Sequence, residues 1–290
     1  MNSDMSAICD ITIEDVEYLR HGDEPLLARL YLPKTEGPVP LVAEVHGGAW
    51  CRGDRLDEDA LNQGLARRGV AVAALDFRMP PAASYPASLA DINYGVRWLK
   101  ANSAKWGSRP ELVSMLGVSS GAHQIMLAAM RPEDPRYASL ALPEGSAEHD
   151  ARVARAIMCW PVIDPLGRYE YALALQAGGG SYPAGIDRVI PDHMRFWGDK
   201  EAMAEGNPVR ILENDEKVER PALLCIQGDQ DRMHPREHLE RFIALYEKAG
   251  GTVTMSWYEN EAEGFVKTKP DSPATARAAD EIAQFLKAGL

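Results

Sequence analysis

Long apolar runs are missing from this 290-residue chain. The longest, such as Val70 to Leu75, are strand-sized and far short of the ~20 residues that cross a bilayer as a helix, so no membrane span is expected. Cysteine is scarce. Cys9, Cys51, Cys159 and Cys225 stand singly, with no CxxC pair, which excludes a disulfide framework or a zinc site on spacing. Cys159 and Cys225 fall inside apolar runs and read as reduced core thiols. Neither a metal nor another cofactor is called for. Positive charge is also in short supply: 31 Lys and Arg face 43 Asp and Glu, a formal charge of −12. Such a surface repels phosphate backbones and anionic membranes, so nucleic-acid binding is not expected. The opening residues lack the basic start and apolar stretch of a secretory signal, and Asp10, Glu14, Asp15 and Glu17 follow soon after, which predicts a cytoplasmic protein.

What the chain has instead is alternation. Leu41 to Val45, Val70 to Leu75, Leu112 to Leu116, Val153 to Cys159, Ala222 to Ile226 and Val253 to Tyr258 read as strands, most of them apolar throughout, as strands covered on both faces should be. Helical periodicity fills the intervals, over Asp57 to Arg68, Tyr85 to Asn102, Gly121 to Met130, Arg236 to Ala249 and Pro273 to Ala288. The fold class is therefore α/β, with a parallel sheet and helices on both faces. Alternating apolar residues from Ile11 to Tyr18 and from Leu27 to Leu32 predict an antiparallel hairpin ahead of the parallel part. From Asp164 to Glu219 no strand is evident, and a structureless loop of that length is implausible in a compact domain. A helical cap inserted over roughly residues 165–215, within a single domain spanning 1–290, fits better.

Gly117-Val-Ser-Ser-Gly121 has the pattern G-x-S-x-G and lies between a predicted strand and a predicted helix. A turn that tight forces its serine into strained backbone and tolerates no bulk beside it, lifting the hydroxyl clear of the sheet. Ser119 is thus a candidate nucleophile at a helix N-terminus. His46-Gly-Gly-Ala-Trp50 follows an earlier strand, and its small residues let backbone N–H groups approach a substrate oxygen. The N–H groups of Gly48, Ala49 and Ser120 are candidates for an oxyanion hole, at ~3 kcal/mol of transition-state stabilisation per donor.

With these two motifs the chain resembles the α/β-hydrolase fold, and within it the esterases that include hormone-sensitive-lipase-like enzymes and kynurenine formamidases. The resemblance implies a mostly parallel central sheet, an inserted cap, and a catalytic acid in the turn after the seventh strand. Asp231, four residues before Pro235, matches that position, while Asp229 reads as a turn-former. It also implies a histidine after the eighth strand, in a His-Gly-Phe string. Here Glu263 precedes Gly264-Phe265, and no histidine follows His238.

A serine needs a base, so several accounts stay open. Glu263 can serve with Asp231 beside it, two carboxylates sharing a proton as in serine-carboxyl peptidases. A histidine can come from elsewhere, with His234 in the Asp231 loop the best placed and His193 of the cap a second choice. The fold can also bind without turnover, or run a non-hydrolytic reaction. His46 and His123 read as bracing and packing residues, His21 as a surface residue, and Trp50 as pocket wall. The Arg78 stretch and the Asp91, Tyr94, Trp98 helix face read as structural. The reading adopted is a serine esterase for a small, uncharged or weakly polar carboxylic ester, with Ser119, Asp231 and Glu263 as an atypical triad. A formamidase or amidase using the same serine, and a ligand-binding pseudoenzyme, are the alternatives. Partners are confined to the small-molecule ester, and self-association into a homo-oligomer stays open.

Overall fold

A computed structural model describes residues 8–288 and 290. The remaining positions of the expected 1–290 domain, among them the opening stretch weighed for a secretory signal, lie outside the described residues. Eight strands form one sheet in the order β1-β2-β4-β3-β5-β6-β7-β8. The hairpin strands β1 (Ile11–His21) and β2 (Glu24–Pro33) pair antiparallel, and β2 pairs antiparallel with β4 (Ala71–Leu75). From there β3 (Leu41–Val45), β5 (Val113–Val118), β6 (Arg155–Cys159), β7 (Ala222–Gly228) and β8 (Val253–Tyr258) run parallel. The expected α/β architecture, mostly parallel with an antiparallel start, is the observed one.

Alternation along each strand sorts side chains into two cores. Leu41, Ala43 and Val45 of β3 join Leu75 and Met115 under α2 (Ala87–Asn102), α3 (Ser120–Met130) and α8 (Arg236–Lys248). Val42, Val72 and Leu116 face the other way, onto α1 (Asp59–Arg67), α9 (Phe265–Thr268) and α10 (Pro273–Lys287). Burying both faces explains why the central strands lack the polar alternation of a half-exposed sheet.

Between β6 and β7 the chain forms four helices, α4 (Pro165–Ala177), α5 (Ile186–Trp197), α6 (Lys200–Glu205) and α7 (Pro208–Glu213). Asp164, Asp199 and Asn207 cap three of them by accepting N–H bonds from the first turn, each replacing a partner the helix itself cannot provide. Asp164 also accepts from Asn207 Nδ2 at 2.7 Å, which ties the start of this insertion to its end. Among the described residues no helix is long and apolar enough to cross a membrane.

Candidate active site

Ser119, Ser120, the residues after β3, Asp231, His234 and Glu263 all follow the carboxyl ends of parallel strands, where an open α/β sheet offers its crevice, and His193 lies on α5 of the insertion. After β3 the backbone turns sharply. Gly48 has φ +102°, and a side chain there would strike the carbonyl of Arg52. Ala49 and Trp50 follow at φ 51° and 61°, in the left-handed region that non-glycine residues seldom occupy. The strained loop is pinned to the next motif, because Trp50 N–H donates to Ser120 Oγ at 3.1 Å. Among the described residues the N–H groups of Gly48, Ala49 and Ser120 make no hydrogen bond within the protein.

Ser119 joins β5 to α3 at φ 52°, ψ −117°. The glycines around it are required by space. A Cβ on Gly117 would sit 2.5 Å from the carbonyl oxygen of Gly121, and one on Gly121 would strike the carbonyls of Val45 and His46. The elbow is held by Ser119 N–H donating to Cys159 O at 2.9 Å and by Ser119 O accepting from Val162 N–H at 3.1 Å. Ser119 is buried, at 7% exposure.

The loop after β7 brings the remaining chemistry. Asp231 Oδ1 accepts from the N–H groups of Met233 (2.7 Å) and His234 (3.1 Å), and Oδ2 accepts from Gln227 Nε2 (2.7 Å) and His234 Nδ1 (2.8 Å). Burial alone would raise the pKa of this carboxyl, but the facing His234 and these hydrogen bonds outweigh it and hold it below the ordinary value. An ionised Asp231 can only accept, so Nδ1 of His234 donates to it and Nε2 is the ring nitrogen left to face the serine. That Nε2 lies 3.4 Å from Ser119 Oγ, a long contact of the kind that tightens when substrate binds.

The structure thus brings Ser119, His234 and Asp231 into one chain of contacts. Glu263, half-buried in the turn between β8 and α9, makes no hydrogen bond to Ser119 or Asp231 among the described residues. Its charge instead bears on Arg168 of α4 and on Glu58, whose pKa is raised to about 8 chiefly by burial. His193 is buried on α5 with Nδ1 bonded to Val189 O at 2.6 Å, and burial lowers its pKa to about 3. His46 is buried and stacked on Phe77. His123 links Trp50 Nε1 (3.3 Å) to Gly206 O (2.7 Å), neutral at a pKa of about 4 through burial. His21 is less of a surface residue than expected, since it bonds the buried carboxylate of Asp91 at 2.8 Å. Arg78 shares that carboxylate, in keeping with a structural role.

Two participants carry no sequence signal. Gln227, the neighbour of Asp231 in the relay, is an unremarked polar residue in an apolar strand. Arg168, whose Nε donates to Met233 O at 3.2 Å, ties α4 to the residue before His234 and is found only through the packing of the insertion on the β7 loop. Cys51 is no competing nucleophile, because burial and then the charge of Asp192 push its thiol up to about 11. Among the described residues no cluster of three His, Cys, Asp or Glu side chains is disposed to hold a metal.

The insertion packs directly on the loop after β3. Trp50 stacks on Phe196 of α5 at 5.4 Å and meets His193 and Trp197 edge-on, so it serves as the contact between loop and insertion. A cleft of about 640 Å³ opens beside this contact, lined by Cys51, residues 80–84 and Arg195.

This arrangement of sheet, crossing helices and elbow is the α/β-hydrolase fold. Solved structures agree: a hyperthermophilic esterase from the archaeon Pyrobaculum calidifontis superposes with a TM-score of 0.75 at 21% identity, over 96% of this chain and 85% of that one. Esterase B from Lactobacillus rhamnosis gives 0.76 at 20% identity, over 98% and 89%. A model of the BD-FAE family matches residues 29–244, more than half of the sequence, and the chain belongs to that family. Among curated proteins it is 27% identical over 251 residues to the esterase LipC of Mycobacterium tuberculosis, covering 86% of this chain and 58% of that protein. It is 31% identical over 208 residues to a probable carboxylic ester hydrolase, LipM, of the same organism, covering 71% and 44%. The chain spans about half the length of the curated relatives it matches.

Proposed function

We propose that the chain is a serine hydrolase of carboxylic esters in which His234, not Glu263, is the base. The observation that carries this reading is the contact series Ser119 Oγ to His234 Nε2 (3.4 Å) and His234 Nδ1 to Asp231 Oδ2 (2.8 Å). In the proposed step Ser119 Oγ attacks the ester carbonyl and its proton passes to Nε2. Asp231 holds the tautomer and stabilises the imidazolium that forms. The free N–H groups of Gly48, Ala49 and Ser120 receive the developing oxyanion, and His234 then protonates the departing alcohol. Water, activated by the same Nε2, releases the acid. The names of the relatives support the ester as substrate. Residues 165–215 act as the cap.

Short-chain p-nitrophenyl esters and a fluorophosphonate probe test the reading. Ser119→Ala should abolish both labelling and turnover. His234→Ala should lower kcat by about 10³-fold or more, the loss expected when a triad base is removed. Glu263→Gln should cost less than about tenfold. Collapse of activity in Glu263→Gln with survival of His234→Ala would reinstate the Ser119, Glu263, Asp231 relay. No labelling of the unaltered protein between acidic and alkaline pH would favour a binding protein.

A further inference from the structure

Arg168 is a buried guanidinium near the relay that the proposed chemistry leaves unused. It is buried, at 4% exposure, on the first turns of α4. Among the described residues its side chain makes one hydrogen bond, from Nε to Met233 O, and no ion pair within 4 Å. Its Nη1 is buried without any partner. Asp164, beside it in the lining of one small void, is taken up by Gly167 N–H and Asn207 Nδ2, and the acids whose charge bears on it are Glu263, Asp231 and Asp192. Two of them are already engaged, Asp231 by His234 and Asp192 by Arg52 at 2.6 Å. Glu263 lies near but not in contact.

An uncompensated buried cation is costly, and arginine cannot escape by losing its proton. The surroundings show where compensation can come from. Arg168 and His234 line the same small void, together with Val162, Asp164, Pro235 and His238. Val162 is the residue whose N–H grips the carbonyl of Ser119. The void leaves about 10 Å³ for the centre of a water-sized group, room for one water or one carboxylate oxygen and no more. A guanidinium presents paired donors in the geometry a carboxylate accepts.

We propose that Arg168 is a substrate-binding residue, and that the ester cleaved at Ser119 carries an ionised carboxylate on a short arm that reaches Nη1. This rests on the serine-esterase reading and sharpens it, replacing an uncharged substrate with an ester that bears a carboxylate. Glu263, in the same field, opposes the bound anion and sets how tightly it is held.

The experiment pairs each anionic ester with a neutral analogue of matching shape: monoethyl succinate with ethyl levulinate for a carboxylate on the acid side, and acetoxyacetate with acetoxyacetone for one on the alcohol side. Hydrolysis is followed by proton release. The unaltered protein should favour the anionic member of one pair by at least tenfold in kcat/KM. Arg168→Gln should erase that preference, Arg168→Lys should keep part of it, and Glu263→Gln should enlarge it. Using the ratio removes any general loss of activity from disturbing Met233. A ratio at or below one in both pairs, or one unchanged in Arg168→Gln, overturns the proposal. Calorimetric binding of monoethyl succinate and acetoxyacetate to Ser119→Ala needs no turnover and separates the two ideas. Binding that vanishes in Ser119→Ala/Arg168→Gln sustains the site even if hydrolysis fails, and absence of binding to Ser119→Ala sinks it even if neutral esters are cleaved.

Discussion

Ser119 holds its hydroxyl in place at the expense of its own backbone. A φ of 52° with ψ −117° is a region that glycine enters freely and other residues enter at a cost of roughly 1–3 kcal/mol. Ser119→Gly and Ser119→Ala should therefore be equally inactive yet differ in stability, with the glycine variant about 1 kcal/mol the more stable in urea unfolding. Equal midpoints would show that the elbow relaxes once the hydroxyl is gone. The elbow was readable from residues 117–121 because its constraint is local, two glycines beside a serine between strand and helix. The proposed base was legible only as one choice among several, His234 beside Glu263, because a proton acceptor is chosen by distance in space. Glu263 occupies the expected place along the chain, whereas His234 reaches Ser119 only because the β7 loop folds back under the accepting oxygens of Asp231.

The insertion is secured to the body in two physically different ways. On the surface, Glu205 at the end of α6 accepts from Tyr85 OH (2.5 Å), Arg131 Nη1 (2.7 Å) and Arg136 Nη2 (2.9 Å). Inside, His123 bridges Trp50 to the carbonyl of Gly206. Exposed ion pairs are each worth about 0–1 kcal/mol, whereas a buried group stripped of its partner costs about 1–3 kcal/mol. His123→Phe leaves an indole N–H and a carbonyl unpaired, so hydrogen exchange in α6 and α7 should accelerate far more in that variant than in Glu205→Ala. The reverse order would mean that the surface network holds the insertion. At this scale the strands and longer helices were legible to within a few residues. The four helices of the insertion, α4 to α7, were expected only as one undivided cap, and the four-residue α9 was not expected. The shortest of these do not persist alone in water: α6 and α7 exist here through side-chain caps and burial, and α9 through the burial of Phe265 and Val266, which no periodicity records.

For the molecule as a whole, buried titrating groups pull stability in opposite directions with pH. His123 and His193 stay neutral in the fold down to about pH 4 and 3, while in the unfolded chain they take up protons below about 6.5. Unfolding therefore binds protons in that interval, and stability falls on acidification, by about 3 kcal/mol at pH 4 for His123 alone. Glu58 does the opposite. Its folded pKa of about 8 lies above its ordinary value of 4.5, so its contribution is complete below about pH 4.5 and is lost progressively as pH rises from there to 8, by as much as ~5 kcal/mol. Glu44, raised by burial and by Glu58, acts in the same sense. Unfolding free energy should peak between about pH 5 and 6.5. Glu58→Gln should flatten the decline between pH 6 and 8.5, and curves that stay parallel for the two proteins would exclude Glu58 as its source.

Asp231 and His234 sit three residues apart in one loop, with Gln227 just ahead of them. On the proposed mechanism, acid and base then travel together as a single cassette of eight residues, Gln227 to His234. The turn carrying Glu263 is released from proton transfer and is free to specialise in substrate choice. Such a cassette can be transplanted: grafted behind the seventh strand of a relative whose C-terminal histidine has been deleted, it should restore esterase turnover without any further residue from this chain.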